Sequence, residues 1–180
     1  MKSMFAAALI GASLLTACQQ PQGSNVMAEI EKAEAESAKA AEAAAAASQA
    51  FLNQNKAKPG VKTTESGLQY EVVRAAPTSK PTPGPTDEVT VHYEGTLPDG
   101  TIFDSSYQRN EPTSFPLNAV IPGWTEGLQL MRPGEEFRFV IPSDLAYGPQ
   151  GAGPDIGPNQ VLVFKVELLS FKRADGSVAK

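Results

Sequence analysis

Apolar and polar positions alternate in short runs through most of this chain. Val89, Val91 and Tyr93 alternate with Thr90, His92 and Glu94, the period of a strand with one buried face. Phe137, Phe139 and Ile141 alternate with Glu136 and Arg138 in the same way. Between Val161 and Phe171, Leu162, Phe164, Val166 and Leu168 share one face, and Lys165 and Glu167 mark the other. Leu68–Arg74 and Thr101–Ser105 read as two further strands. Asp99-Gly100, lying between strand-like runs, is a strong hairpin signal. Only one segment here has a helical period: Trp124, Leu128 and Met131 fall at i, i+4 and i+7. Ile121-Pro122-Gly123 opens that helix and Arg132-Pro133-Gly134 ends it. About five strands and one short helix, joined by short turns, predict an α+β domain with an antiparallel sheet covered on one face. Residues 61–174 are enough chain for one independent core.

A long helix is predicted ahead of this domain, from about Val26 to Lys56. Ala40 to Ala47 is nearly all alanine, the best helix former. Glu29, Glu31, Glu34 and Glu36 crowd its early part, where carboxylates complement the helix dipole. Pro59-Gly60 stops it. At 1.5 Å per residue it extends for roughly 45 Å. Aligning Ile30, Ser37, Ala44 and Phe51 at one heptad position puts Ala33, Ala40, Ala47 and Gln54 at the other. That seam is small, so it offers little apolar area. The plain reading is a solvated spacer, and a homodimer through this helix is the alternative.

The first residues look like a processing signal. Lys2 supplies the positive charge, Met4 to Leu15 is apolar, and small residues lead to Cys18. The run is shorter than the roughly 20 residues of a membrane span. A cysteine directly after such a junction resembles the bacterial lipoprotein signal. That resemblance implies removal of 1–17, acylation of Cys18, and a multiply acylated anchor, since one acyl chain holds only marginally. An ordinary secretory signal or an uncleaved anchor are the alternatives. Residues 18–60 would then be the lipidated cysteine, a tether and the helix, and 175–180 a disordered tail. Gln19 after the cysteine resembles lipoproteins sent to the outer membrane, on the periplasmic side.

The composition excludes several classes of chemistry. The net charge is −5, and losing Lys2 makes it −6. With no cluster of Lys and Arg, nucleic acid is not an expected partner. Cys18 is the only cysteine, so no internal disulfide forms. His92 is the only histidine, which argues against a catalytic triad or a histidine metal site, and it is expected near the surface. No metal and no cofactor is expected. Gly148 to Gly157 is glycine-rich but joins strands, so it is no phosphate loop.

What remains is an ordered series of motifs. Ser66-Gly67-Leu68-Gln69-Tyr70 comes first, then Val91-His92-Tyr93-Glu94-Gly95 and Gly100-Thr101-Ile102-Phe103-Asp104-Ser105-Ser106. Val120-Ile121-Pro122-Gly123-Trp124 and Ile141-Pro142-Ser143-Asp144-Leu145-Ala146-Tyr147-Gly148 follow. Ile156-Gly157-Pro158-Asn159 leads into Leu162-Val163-Phe164. From about Val61 to Phe171 this set resembles the FKBP family of peptidyl-prolyl isomerases, in the bacterial branch with N-terminal helices.

The resemblance implies a strongly twisted antiparallel sheet wrapped on one short helix. It implies a pocket with Tyr93, Phe103, Trp124 and Phe164 as aromatic walls and floor, and Asp104 and Tyr147 as polar groups. Val120, Ile121, Phe115, Arg109 and Ile156 would contact substrate, with the Ile121 N–H as donor to a bound carbonyl. It implies proline-containing unfolded or nascent secreted proteins as clients, and macrolides such as tacrolimus and rapamycin as inhibitors. Thr113, Ala119, Ala152 and Asp155 depart from better-known members, and Asp155 is expected to place a second carboxylate at the pocket rim. Taken singly, aromatics at alternating strand positions are ordinary core, and an Asp–Arg pair is the structural alternative for Asp104. A carboxylate in an apolar setting needs partners, and Arg109 and Tyr147 are the expected ones. A chaperone or peptide-binding module with weak or no isomerase activity is the rival function.

Overall fold

A computed structural model of the chain describes residues 23–180. The leader over 1–17 and Cys18 lie outside the described residues. The chain divides into two compact units, 1–36 and 37–180. Helix α1, Gly23–Lys56, passes through both. In the first unit the described side chains from Val26 to Glu36 are all exposed. Among the described residues no helix is long and apolar enough to cross a membrane.

The second unit is built on one antiparallel sheet. Its strands are β1 (Lys62–Thr63), β2 (Gln69–Arg74), β3 (Glu88–Thr96), β4 (Ile102–Ser105), β5 (Thr113–Pro116), β6 (Glu136–Ile141), β7 (Leu162–Lys172) and β8 (Val178–Ala179). The order is β1-β2-β6-β7-β3-β4. β5 and β4 pair end to end along one edge of β3, and β7 pairs along the other. The five expected strands appear within a residue or so of their expected ends. β1, β5 and β8 are too short to show a period. β8 also corrects the expectation of a disordered tail over 175–180: Val178 pairs with Lys172 and Ala179 with Phe171.

Helix α2 (Pro122–Leu128) packs on one face of the sheet. Pro122 sits at the first helical position, where its missing N–H is not needed. Trp124, Leu128 and Met131 are buried together, as their spacing predicts. They meet Val89, Val91 and Tyr93 of β3, Phe137, Phe139 and Ile141 of β6, and Leu162, Phe164, Val166 and Leu168 of β7. Burying each large apolar side chain contributes about 1.5–3 kcal/mol. The helix can lie close to the sheet because Gly123 and Gly127 face it without side chains. A Cβ at Gly127 would stand 2.7 Å from the Phe139 ring, and one at Gly123 2.5 Å from an Ile141 methyl. This close approach sets Trp124 deep between the strands.

The reading of α1 as a solvated spacer does not hold from Ala41 onward. Ala41, Ala44, Ser48, Phe51, Leu52 and Asn55 form a helical stripe that is wholly or partly buried. Phe51 and Leu52 pack on Val140, Val161 and Val163, on the face of the sheet opposite α2. Asn55 donates to Gln69 Oε1 at 2.8 Å and accepts from Arg138 at 3.0 Å, and Gln69 donates to the Leu52 carbonyl at 3.0 Å. Asn55 and Gln69 are both buried, so this polar cluster is stable only because its groups are paired. Apart from Phe51 and Leu52 the stripe is alanine, serine and asparagine, too little apolar area to show a hydrophobic period, which is why the sequence hides it.

Candidate functional site

A cavity of about 480 Å³ opens between α2 and the strands. Tyr93, Phe103, Asp104, Thr113, Phe115, Ala119, Val120, Ile121, Trp124, Tyr147 and Phe164 line it. Trp124 forms the floor. Its ring meets Tyr93 and Phe164 nearly at right angles, each with centroids 5.1 Å apart, and Phe115 at 5.3 Å. Phe103 stands perpendicular to Phe164 at 5.5 Å. Such edge-to-face contacts suit the ring quadrupoles and hold each wall by its neighbour. Among the described residues the buried Trp124 Nε1 has no hydrogen-bond partner.

Phe103 and Asp104 are consecutive on β4 yet both line the cavity. A regular strand would send them to opposite faces. The register explains it: Gly95 pairs with Asp104 but Thr96 pairs with Ile102, so Phe103 is the extra residue of a β-bulge. Bulges re-aim side chains next to functional sites. Gly95 leaves the room the bulge requires, since a Cβ there would lie 2.6 Å from the Phe103 ring and 2.7 Å from the Phe164 ring.

Asp104 is tied on both oxygens. The Tyr93 hydroxyl donates to Oδ2 and the Arg109 guanidinium to Oδ1. Arg109 also donates to the Tyr93 hydroxyl at 3.0 Å and to Thr113 Oγ1 at 3.4 Å. Burial pushes the Asp104 carboxyl up, but hydrogen bonds from Tyr93 and Arg109 and the Arg109 charge outweigh it and hold the group below the usual carboxylate range. Burial, then the carboxylate it binds, raises the Tyr93 phenol above its ordinary value. Neither group is set up to exchange protons near neutrality. The expected partnership of Asp104 with Tyr147 is corrected here: Tyr93 takes that place. Tyr147 stands 41% exposed at the mouth of the cavity, and its hydroxyl has no partner among the described residues.

The Ile121 N–H also has no acceptor among the described residues, while the Ile121 carbonyl takes the N–H groups of Trp124 and Thr125. Three site expectations fall elsewhere. Arg109 is bonded to Asp104 and Tyr93 but is not among the residues that line the cavity. Ile156 is 8% exposed within the core and does not line the cavity. Asp155 sits on an exposed turn closed by the Ala152–Ile156 bridge, not among the lining residues. Thr113 and Ala119 do line it, although their unusual identities were the only sign of them in the sequence. Behind the pocket, Ser106 Oγ accepts the Tyr93 N–H at 2.8 Å and contacts His92 Nδ1 at 2.9 Å, so His92 is half-buried. Among the described residues no three His, Cys, Asp or Glu side chains gather as a metal site would require.

Comparison with known proteins agrees with this fold. The family model described as FKBP-type peptidyl-prolyl cis-trans isomerase matches residues 79–169. A model of the domain amino-terminal to it matches residues 2–72. The chain is 55% identical over 126 residues to the peptidyl-prolyl cis-trans isomerase Mip of Coxiella burnetii, covering 70% of this chain and 54% of that protein. It is 47% identical over 143 residues to the outer membrane protein MIP of Legionella longbeachae, covering 79% and 60%. The chain spans about half the length of the curated relatives it matches. Among solved structures, FkpA from Escherichia coli superposes with a TM-score of 0.76 at 41% identity, covering 87% of this chain and 75% of that one. A peptidyl-prolyl isomerase from Pseudomonas syringae gives 0.67 at 45%, covering 73% and 96%.

Proposed function

We propose that this chain, which belongs to the FKBP-type peptidyl-prolyl cis-trans isomerase family, accelerates rotation about X–Pro bonds in proteins folding outside the cytoplasm. The observation that carries this is an aromatic cavity whose one lining carboxylate is fully engaged by its neighbours. That arrangement suits a reaction that needs no nucleophile and no proton transfer.

Rotation about a peptide bond faces a barrier of about 18–20 kcal/mol. The planar amide is polar through resonance, and twisting makes it less polar. Water stabilises the planar form, while a dry aromatic cavity favours the twisted one. This is differential binding of the transition state, and each 1.4 kcal/mol of it gives about tenfold in rate. Trp124 would support the prolyl ring, with Tyr93, Phe103, Phe115 and Phe164 around it and Val120 at the edge. The free Ile121 N–H and Tyr147 O–H would hold substrate carbonyls. Asp104, steadied by Arg109, would fix the Tyr93 wall. The test is isomerisation of a proline-containing tetrapeptide. Normal activity in an Asp104→Ala, Tyr147→Phe double variant would overturn these roles. The same cavity would admit macrolides such as tacrolimus or rapamycin, read as inhibition in that assay.

The clients would be proline-containing unfolded or nascent secreted proteins. The leader pattern, and a relative named as an outer membrane protein, support a location on the periplasmic side of the envelope. There Cys18 would carry the lipid anchor, and Cys18→Ala should move the protein from the membrane to the soluble fraction. Val26, Met27 and Ile30 are exposed on α1, which supports a homodimer through that helix. Sedimentation as a clean monomer at high concentration would exclude it.

A further inference from the structure

One serine stands out directly after the alanine tract of α1. Ser48 is 7% exposed, and its hydroxyl donates to the Asn159 carbonyl at 2.8 Å while accepting the Val161 N–H at 3.2 Å. Asn159 answers in the other direction, its side-chain amide reaching the Ala41 carbonyl at 3.2 Å. Its backbone N–H donates to the Gly148 carbonyl at 2.9 Å. Asn159 holds a left-handed conformation, with φ 56°, which asparagine tolerates better than most residues. These bonds close the loop from Gly148 to Gln160 at its base. Tyr147 lies directly before that loop, and Val161 directly precedes β7, which carries Phe164. The helix is therefore bonded to the C-terminal end of the loop, and the Asn159–Gly148 bond ties that end to the one that follows Tyr147.

We propose that Ser48 is a positioning residue of the isomerase site, acting through Asn159 to hold the 148–160 loop and, with it, the Tyr147 hydroxyl over the cavity. The proposal deepens the isomerase reading and rests on it. Helix α1 then sets the active-site loop from outside the matched isomerase region, which begins at residue 79. Threonine can replace serine here: Ser48 borders a small cleft of about 180 Å³ with Ala44, Ala47 and the Leu97–Asp99 turn, which leaves space for one methyl group.

The test uses the whole mature protein and four variants: Ser48→Ala, Ser48→Thr, Asn159→Gly, and Ser48→Ala combined with Tyr147→Phe. Ser48→Ala and Asn159→Gly should each lower kcat/KM on a proline tetrapeptide three- to tenfold. Ser48→Thr should stay within twofold of wild type. In the Tyr147→Phe background, Ser48→Ala should cost less than twofold, because the group it positions is already gone. Wild-type kcat/KM in Ser48→Ala with only a lower Tm would overturn the proposal, as would an undiminished loss in the Tyr147→Phe background. Amide hydrogen exchange separates this from the isomerase reading itself. Ser48→Ala should speed exchange at Ala152, Ile156 and Asn159 whether or not the wild type turns over peptide. Unchanged protection there overturns the latch alone, and a wild type inactive on every proline peptide overturns the isomerase reading alone.

Discussion

Gly95→Ala tests how the cavity is built. The added Cβ would sit 2.6 Å from the Phe103 ring and 2.7 Å from the Phe164 ring. Carbon atoms in contact prefer about 3.5–4.0 Å, so each ring must retreat by roughly 1 Å. Phe164 cannot easily comply, because it is 5% exposed and its ring abuts Trp124 and Tyr93. Phe103 is freer, but it occupies the bulge and moving it disturbs Asp104 next to it. Overpacking of this kind typically costs about 1–3 kcal/mol. For a unit of this size each kcal/mol lowers Tm by about 3 °C, giving a loss of about 3–10 °C. Isomerase activity should fall more than stability alone explains, since a 1 Å misplacement of a binding group can cost on the order of 100-fold. The assay pairs thermal unfolding with tetrapeptide isomerisation well below Tm. Gly157→Ala is the control, because a Cβ there meets nothing within 4 Å. Adding Phe103→Leu to Gly95→Ala should recover part of the lost stability, since it removes the ring the methyl meets first. If Gly95→Ala matched wild type in both assays, or Gly157→Ala were equally damaging, the reasoning would be refuted.

Activity should be flat from about pH 5 to 9, with no bell. Asp104 is depressed and Tyr93 raised, so both ordinary titrations, near 3.9 and 10, move away from neutrality. The stability Asp104 provides is present above its unfolded-state value and lost as pH falls through the lower folded one; that of Tyr93 is lost as pH rises past 10. A rate maximum near pH 6–7 would show that a titrating group takes part. Arg109→Lys should lower kcat/KM several-fold, because one ammonium cannot span Asp104, Tyr93 and Thr113 as the planar fork does; unchanged kinetics would show that charge alone suffices. Leu128→Ala, at the fully buried last residue of α2, should cost about 2–5 kcal/mol in denaturant unfolding with the m-value unchanged.

The parts of this fold that repeat along the chain were legible, and the parts that depend on a single contact were not. Alternation marks β3, β6 and β7 because each buries one face over several residues. β5 buries too little for a pattern, yet it brings Phe115 and Thr113 to the cavity. The motif Phe103-Asp104 identified both residues, but a period of two places them on opposite faces, and only the bulge opposite Gly95 reconciles them. Tyr93 was legible as an aromatic wall. Its hydroxyl bond to Asp104 was not, because nothing in the spacing distinguishes it from Tyr147. The docked face of α1 escaped notice for a different reason: hydrogen bonds from Ser48 and Asn55 hold it as much as apolar area does.

These contacts also limit what Asp104 can do. Its charge faces the opposite charge of Arg109 in direct contact, and both side chains are more than 40% exposed. From the cavity the pair is a solvent-screened dipole, whose field falls off faster than that of a lone carboxylate. A rate enhancement of, say, 10⁴ needs about 5.4 kcal/mol of differential binding. The pair is a poor source of that, and removal of a polar amide from water into a ring-lined cavity is a better one. On the proposed function, the role left to Asp104 is mechanical: it would hold the Tyr93 hydroxyl, and so the ring that meets Trp124 edge-on. Asp104→Asn keeps an acceptor for that hydroxyl and discards the charge, whereas Asp104→Ala discards both. If position matters more than charge, Asp104→Asn should lose less than fivefold in kcat/KM and Asp104→Ala clearly more. Equal losses in the two would return the carboxylate's charge to the centre of the mechanism.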